Sequence, residues 1–165
     1  MRPLSDVAVS TTIRSTNGVP VIVERAMWWP GPQVSAAYWT EAHNSPGATV
    51  TGTRWALAEG EVGGPNDTET YILVANTSLT DGSVRVRLLF DDGTTAERLV
   101  TVRARSRTTI AGGSFPAASQ RRFGAIVESI GATPAQIVVE RAMYSNANGV
   151  FWAAGTNALG TRLTP

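Results

Sequence analysis

The sequence predicts an all-β protein, an antiparallel β-sandwich. Three observations carry this prediction. Short β-branched runs recur at regular spacing; Asp-Gly turn signals separate several of them; and a charged strand phrase occurs twice, as VIVERAMWW at 21–29 and IVVERAMYS at 137–145. Helix is excluded on the same grounds. The 16 Gly and 9 Pro are spread so that few windows hold three clean helical turns.

Taken in order, the expected strands are DVAVSTTI (6–13), PVIVERAMW (20–28), AAYWTEA (36–42) and TRWALAE (53–59). ETYILVAN (69–76), SVRVRLLF (83–90), ERLVTV (97–102), SRTTI (106–110) and FGAIVESI (123–130) follow, then QIVVERAMY (136–144), VFWAAG (150–155) and TRLT (161–164). SVRVRLLF alternates cleanly. Val84, Val86, Leu88 and Phe90 share one face, and Arg85 and Arg87 share the other, in water. The turn signals LTDGS (79–83) and DDGT (91–94) supply the positive φ that tight hairpins need.

The duplication sets the domain organisation. Glu24 aligns with Glu140 at an offset of 116 residues; Tyr38-Trp39 aligns with Phe151-Trp152, Asn44 with Asn157 and Gly47 with Gly160 at an offset of 113. Residues 1–64 therefore read as the back half of a repeat, and residues 65–165 as a complete one. Glycine-rich GEVGGPND (60–67) reads as the linker between them. The expected arrangement is two packed sandwich subdomains, because 165 residues exceeds the ~100 of one immunoglobulin unit. A single sandwich of about a dozen strands is the alternative.

The phrases VERAMW and VERAMY, WALAEG, TYILVAN and FWAAGTNALG, in this order, resemble a bacterial repeat module of unknown function found in large secreted or surface proteins. The resemblance spans about residues 20 to 163. It implies an extracellular, β-rich, immunoglobulin-like domain, and it implies no activity. The ending GTNALGTRLTP resembles the C-terminus of such a parent protein. The start, MRPLSDVAVS, lacks the basic and apolar blocks of a signal peptide, so a secretion signal is expected on a longer parent chain.

Composition narrows the function. The net charge of +1 gives no electrostatic case for nucleic acid or anionic lipid, and no apolar run approaches the 18 residues of a membrane span. All 14 basic residues are Arg, which removes mechanisms needing a lysine amine; cysteine is absent, which removes disulfides and thiolate ligands. No cofactor motif is present: there is no Walker loop and no GxGxxG.

Glu and Arg are neighbours in each ERAM strand, so they point to opposite faces and cannot act as one acid–base pair. The expected roles are structural ion pairs. Glu24, Arg25, Glu140 and Arg141 pair across the two copies, or an Arg takes Glu59 of WALAEG, or an Arg lies on a Trp ring. A small hydrolase using Glu24, Glu140 or His43 is the weakest reading. His43 is the only histidine, and the spacing of Glu41, His43 and Ser45 suggests no triad. Asp91 and Asp92 belong first to a hairpin turn rather than to a calcium site, and no metal is expected. RARSR (103–107) and QRR (120–122) read as a solvated face.

The remaining candidate is aromatic. Trp28, Trp29 and Tyr38 lie close in sequence, and rings displayed on a sandwich can stack on sugars. In a strand one of Trp28 and Trp29 faces in and the other out. The leading expectation is thus a non-catalytic structural or adhesion module of a larger bacterial secreted or surface protein. Its partners would be a neighbouring protein domain, a glycan, or a second copy through an edge strand. The alternative is a carbohydrate-binding module using Trp28 or Trp29.

Overall fold

In the computed structural model, residues 7–29 and 41–165 are described. The fold is an antiparallel β-sandwich. Its eleven strands among the described residues are β1 (Glu24–Trp29), β2 (Glu41–Pro46), β3 (Arg54–Val62), β4 (Glu69–Asn76), β5 (Gly82–Phe90) and β6 (Thr95–Val102), followed by β7 (Ser106–Ala111), β8 (Arg121–Ile130), β9 (Ile137–Ala147), β10 (Val150–Leu159) and β11 (Thr161–Thr164). One sheet has four strands in the order β10-β9-β4-β7; the facing sheet has five in the order β11-β3-β8-β5-β6. β1 and β2 form a separate two-stranded hairpin.

Alternation of side chains builds the core. Ile72 and Val74 of β4, Val84, Val86 and Leu88 of β5, Val127 of β8 and Val139 of β9 all meet between the sheets, with Trp55 of β3 at one end. The chain changes sheet at β3–β4, β4–β5, β6–β7, β7–β8, β8–β9 and β10–β11. At the first of these corners, Gly63, Gly64 and Asp67 adopt positive φ, and Gly63 bridges Thr68. Asn148-Gly149 turns β9 into β10 with φ of +52° and +76°, the signature of a tight hairpin.

β3 lies within residues 1–64 but is hydrogen bonded between β8 and β11. The sandwich therefore draws strands from both sides of residue 64. DVAVSTTI departs from expectation: residues 7–13 form no strand. Val7, Val9 and Ile13 stay exposed, and Arg107 Nη1 donates to the Val9 carbonyl at 3.2 Å. One such bond is no ladder, and without a partner ladder β-branched residues alone do not make a strand.

Candidate functional site

The two ERAM hairpins are built alike. In β1–β2, Glu24 pairs with Pro46, Arg25 with Ser45, Ala26 with Asn44 and Trp28 with Ala42. In β9–β10, Glu140 pairs with Leu159, Arg141 with Ala158, Ala142 with Asn157 and Tyr144 with Gly155. The offsets are again 116 and 113, so the register is identical. Gly47 N–H donates to the Val23 carbonyl at 2.8 Å, and Gly160 N–H to the Val139 carbonyl at 2.8 Å. Asn44 Nδ2 donates to Glu24 Oε1, and Asn157 Nδ2 donates to Glu140 Oε1 at 2.6 Å. Each hairpin thus has an outer face with a carboxylate held by a cross-strand Asn, and an inner face with the Arg.

The inner face of β1–β2 packs on the outer face of β9–β10. Arg25 grips Glu140 with both terminal nitrogens, Nη2 to Oε1 at 2.6 Å and Nη1 to Oε2 at 2.9 Å. This fork-to-carboxylate geometry fixes direction as well as distance. Trp29 stands edge-on to Tyr144 with ring centroids 5.3 Å apart, and its Nε1 donates to the Trp152 carbonyl at 2.9 Å. The indole fits because residue 155 is glycine: a Cβ there would meet Trp29 ring atoms at 2.7 Å. Trp152 stacks on Tyr144 at 4.5 Å from a bulge in β10 where its own φ is +51°.

His43, across from Met27, completes the joint. Its Nε2 lies 3.4 Å from the Tyr144 hydroxyl, and its ring centroid is 5.2 Å from that of Trp29. Burial holds its pKa below the ordinary 6.5, and the positive charge of Arg25 adds to the effect, while Glu140 opposes it. Burial likewise pushes the Tyr144 hydroxyl up. Tyr71 nearby is pushed up to about 12 by burial and by donating to Glu69.

The inner face of β9–β10 turns into the sandwich instead. Arg141 is buried there and its Nη1 lies 2.5 Å from Glu59 Oε1. The structure therefore brings Arg25 to Glu140 and Arg141 to Glu59, and sets Glu24 against Asn44. Trp29 is half-buried in the joint, whereas Trp28 is 54% exposed. Tyr38 lies outside the described residues. His43, Glu41 and Ser45 alternate with Ala42 and Asn44 on one face of β2, but Ser45 Oγ hydrogen bonds the Pro46 carbonyl rather than the imidazole. Asp92 caps its own turn by accepting from Thr94 N and Oγ1 at 2.9 and 2.6 Å, and these bonds with Arg121 lower its carboxyl to about 2. Among the described residues no cluster of three His, Asp or Glu could hold a metal.

The 120–122 cluster is paired with acids, whereas Arg107 of the 103–107 cluster donates to the Val9 carbonyl and to Thr109 Oγ1. Arg121 reaches Asp92 at 2.8 Å and covers the Phe90 ring at 3.9 Å; Arg122 reaches Glu61 at 3.3 Å. Sequence reasoning missed Asn44, Asn157, Tyr144 and Gly155 as parts of one surface. The repeat alignment contained both Asn residues, but only cross-strand pairing places them beside the Glu of the same hairpin.

No family model matches the sequence, and no curated protein sequence matches it. The chain is similar in fold to the crystal structure of Thermotoga maritima 1070, with a TM-score of 0.58 at 13% identity, covering 68% of this chain and 96% of that one. A second neighbour, the Anabaena sensory rhodopsin transducer, aligns at a TM-score of 0.45 and 20% identity over 58% of this chain and 86% of that one. The Thermotoga likeness is one of fold: an all-β antiparallel sandwich.

Proposed function

We propose that the chain is a non-catalytic structural and adhesion module of a larger bacterial secreted or surface protein, acting outside the cell through neighbouring domains. The observation that carries this reading is the bidentate Arg25–Glu140 pair, which spends the two most reactive-looking charges of the ERAM strands on joining one hairpin to the other. Both oxygens of the Glu140 carboxylate are engaged, Oε1 by Arg25 and Asn157 and Oε2 by Arg25, which leaves it badly placed to take a proton from a substrate. A hairpin docked on an equivalent hairpin is also how consecutive units of a repeat array can bind each other.

The test is Arg25→Ala in the full chain. Trp29 emission should shift red as the joint opens, with Trp29→Phe identifying that signal, while the sandwich melts as before. A chain that keeps Trp29 buried without Arg25 would sink the joint. A hydrolytic turnover abolished by Glu140→Gln at unchanged fold would replace this reading with an enzyme.

The exposure of Trp28 favours a second reading, a glycan-binding module. Saturable quenching by a soluble polysaccharide that disappears in Trp28→Ala at unchanged stability would establish it.

A further inference from the structure

The back half of the repeat is present twice, but among the described residues one copy alone has all of its strands in a sheet. At an offset of 114 residues, Ile13-Arg14-Ser15 falls on Val127-Glu128-Ser129 of β8, and Pro20 falls on Pro134 with no gap between them. On this register Val9, Thr11, Ile13 and Ser15 take the positions of Phe123, Ala125, Val127 and Ser129, the four residues that β8 buries. β8 is held on both edges, by β3 and by β5. Residues 7–15 form no strand. Val9 and Ile13 stay 49% and 56% exposed, whereas their counterparts Phe123 and Val127 are 5% and 0% exposed.

β11 supplies a second, independent sign. Its counterparts, residues 48–51 at an offset of 113, also form no strand. β8 and β11 are the two strands that flank β3 in the five-stranded sheet, whereas β1–β2, the counterpart of β9–β10, pairs within itself. The two segments left out of a sheet are thus the two that need a β3-type neighbour. The chain's own β3 is taken on both edges.

We infer that residues 7–15 are a β8-type strand for another sandwich, filling a vacant place between the β3-type and β5-type strands of a front half carried by a different unit of this repeat. Backbone hydrogen bonds on both edges supply the affinity. Val9, Thr11 and Ile13, turned inward together, supply the register, because a slip of one residue turns all three out. Insertion gives up the Arg107 bond to the Val9 carbonyl, one hydrogen bond against two ladders. An intact copy of this chain is not the partner, since its own β8 fills the place. This partner specifies the neighbour in the array proposed above and rests on that reading.

One difference sets the fit. Phe123 lies opposite Phe90, with ring centroids 6.4 Å apart, and Val9 is smaller than Phe123. In this chain's own β8 place Val9 leaves a cavity, so Val9→Phe should strengthen insertion there.

The experiment uses full chains. The acceptor carries Val127→Asp, which puts a carboxylate at a fully buried position of β8 and expels that strand. It also carries Val9→Asp and Ile13→Asp, so that its own segment does not compete. A second acceptor keeps those two changes and replaces residues 121–130 with a Gly-Ser run of equal length, so that the result does not hang on one variant. The donors are the wild-type chain, a chain with Val9→Asp and Ile13→Asp, and Val9→Phe. Each donor is dye-labelled at its α-amine and titrated by fluorescence anisotropy. The wild-type donor should bind an acceptor and not the intact chain. The double Asp donor should bind at least about tenfold more weakly, and the Val9→Phe donor more tightly. Wild-type and Asp donors that bind alike, no binding to either acceptor, or equal binding to the intact chain overturns the strand assignment. Trp29 emission of Arg25→Ala reports the joint separately. A joint that opens as expected, with no strand binding, sinks this inference alone; a joint that fails that test removes the array reading beneath it.

Discussion

Arg141 and Glu59 form one ion pair, but their side chains are 4% and 72% exposed. That asymmetry decides what each deletion costs. Glu59 looks like a surface residue, and most surface substitutions change stability by less than about 0.5 kcal/mol. Its removal, however, strands a guanidinium inside the sandwich, where Arg141 Nε already has no partner among the described residues. Glu59→Ala should therefore destabilise by about 2–3 kcal/mol, somewhat less than the ~3–5 kcal/mol of orphaning a fully buried charge, because solvent reaches the Glu59 side. Adding Arg141→Met, an apolar replacement of similar length, should recover most of the loss. Urea melts of the wild type, the single and the double variant measure it, and a single variant as stable as the wild type would mean that Arg141 does not depend on Glu59. The sequence makes the four ERAM charges and Glu59 visible as a set of charges needing partners. It does not reveal which Glu meets which Arg, because that depends on how the two sheets face each other.

At the scale of elements, every strand of the two sheets was legible, edge strands β6, β7, β10 and β11 included. Alternation in SVRVRLLF and the Asp-Gly turn after it are local signals, and β5–β6 follows from them. The β1–β2 hairpin was half legible. Its apolar start, Val21 to Val23, precedes β1 rather than forming its first turn of ladder, and Ile22 stays in solvent. The docking of this hairpin was not legible, since it rests on Gly155 and Tyr144 more than 100 residues away. The hairpin also contains His43, the single histidine of the sequence. Inside the joint, His43 has a pKa below 6.5; released, it returns to about 6.5. The released form thus binds the proton more readily, so docking is strongest above pH 6.5 and weakens as pH falls from 6.5 toward the lowered value. Trp29 emission should accordingly shift red as the pH falls below about 6.5, before ordinary carboxylates near 4.3 titrate. The shift should be missing in His43→Asn. A pH-independent signal in the wild type would show that His43 stays accessible to solvent in the joint.

For the whole molecule, the sandwich depends on places where the two sheets are tied together, and Gly52 is one of them. It exchanges backbone hydrogen bonds with Ile137 of β9, at 3.1 and 2.9 Å, in the four-stranded sheet. Next to it, Thr53 N–H donates to Thr164 of β11, and the Thr53 carbonyl accepts from Ser129 of β8, both in the five-stranded sheet. The Trp55 indole, among the most buried side chains, donates to the Gly52 carbonyl at 3.3 Å. A Cβ at residue 52 would run into the Thr164 carbonyl oxygen and the Arg162 stem. The first of these is backbone and cannot swing aside as a flexible side chain does. Relief requires either lifting β11 off β3 or lengthening the bonds to Ile137, so the damage reaches both sheets at once. Gly52→Ala should cost about 2 kcal/mol, within the range for overpacking a tight interior. For a chain of this size that corresponds to a Tm lower by about 4–8 °C. The transition should stay single, because the residue belongs to neither sheet alone. A separate low-temperature phase would mean that β11 or the β3 end unfolds by itself. A Tm within about 1 °C of the wild type would mean that the corner yields more easily than its backbone contacts imply.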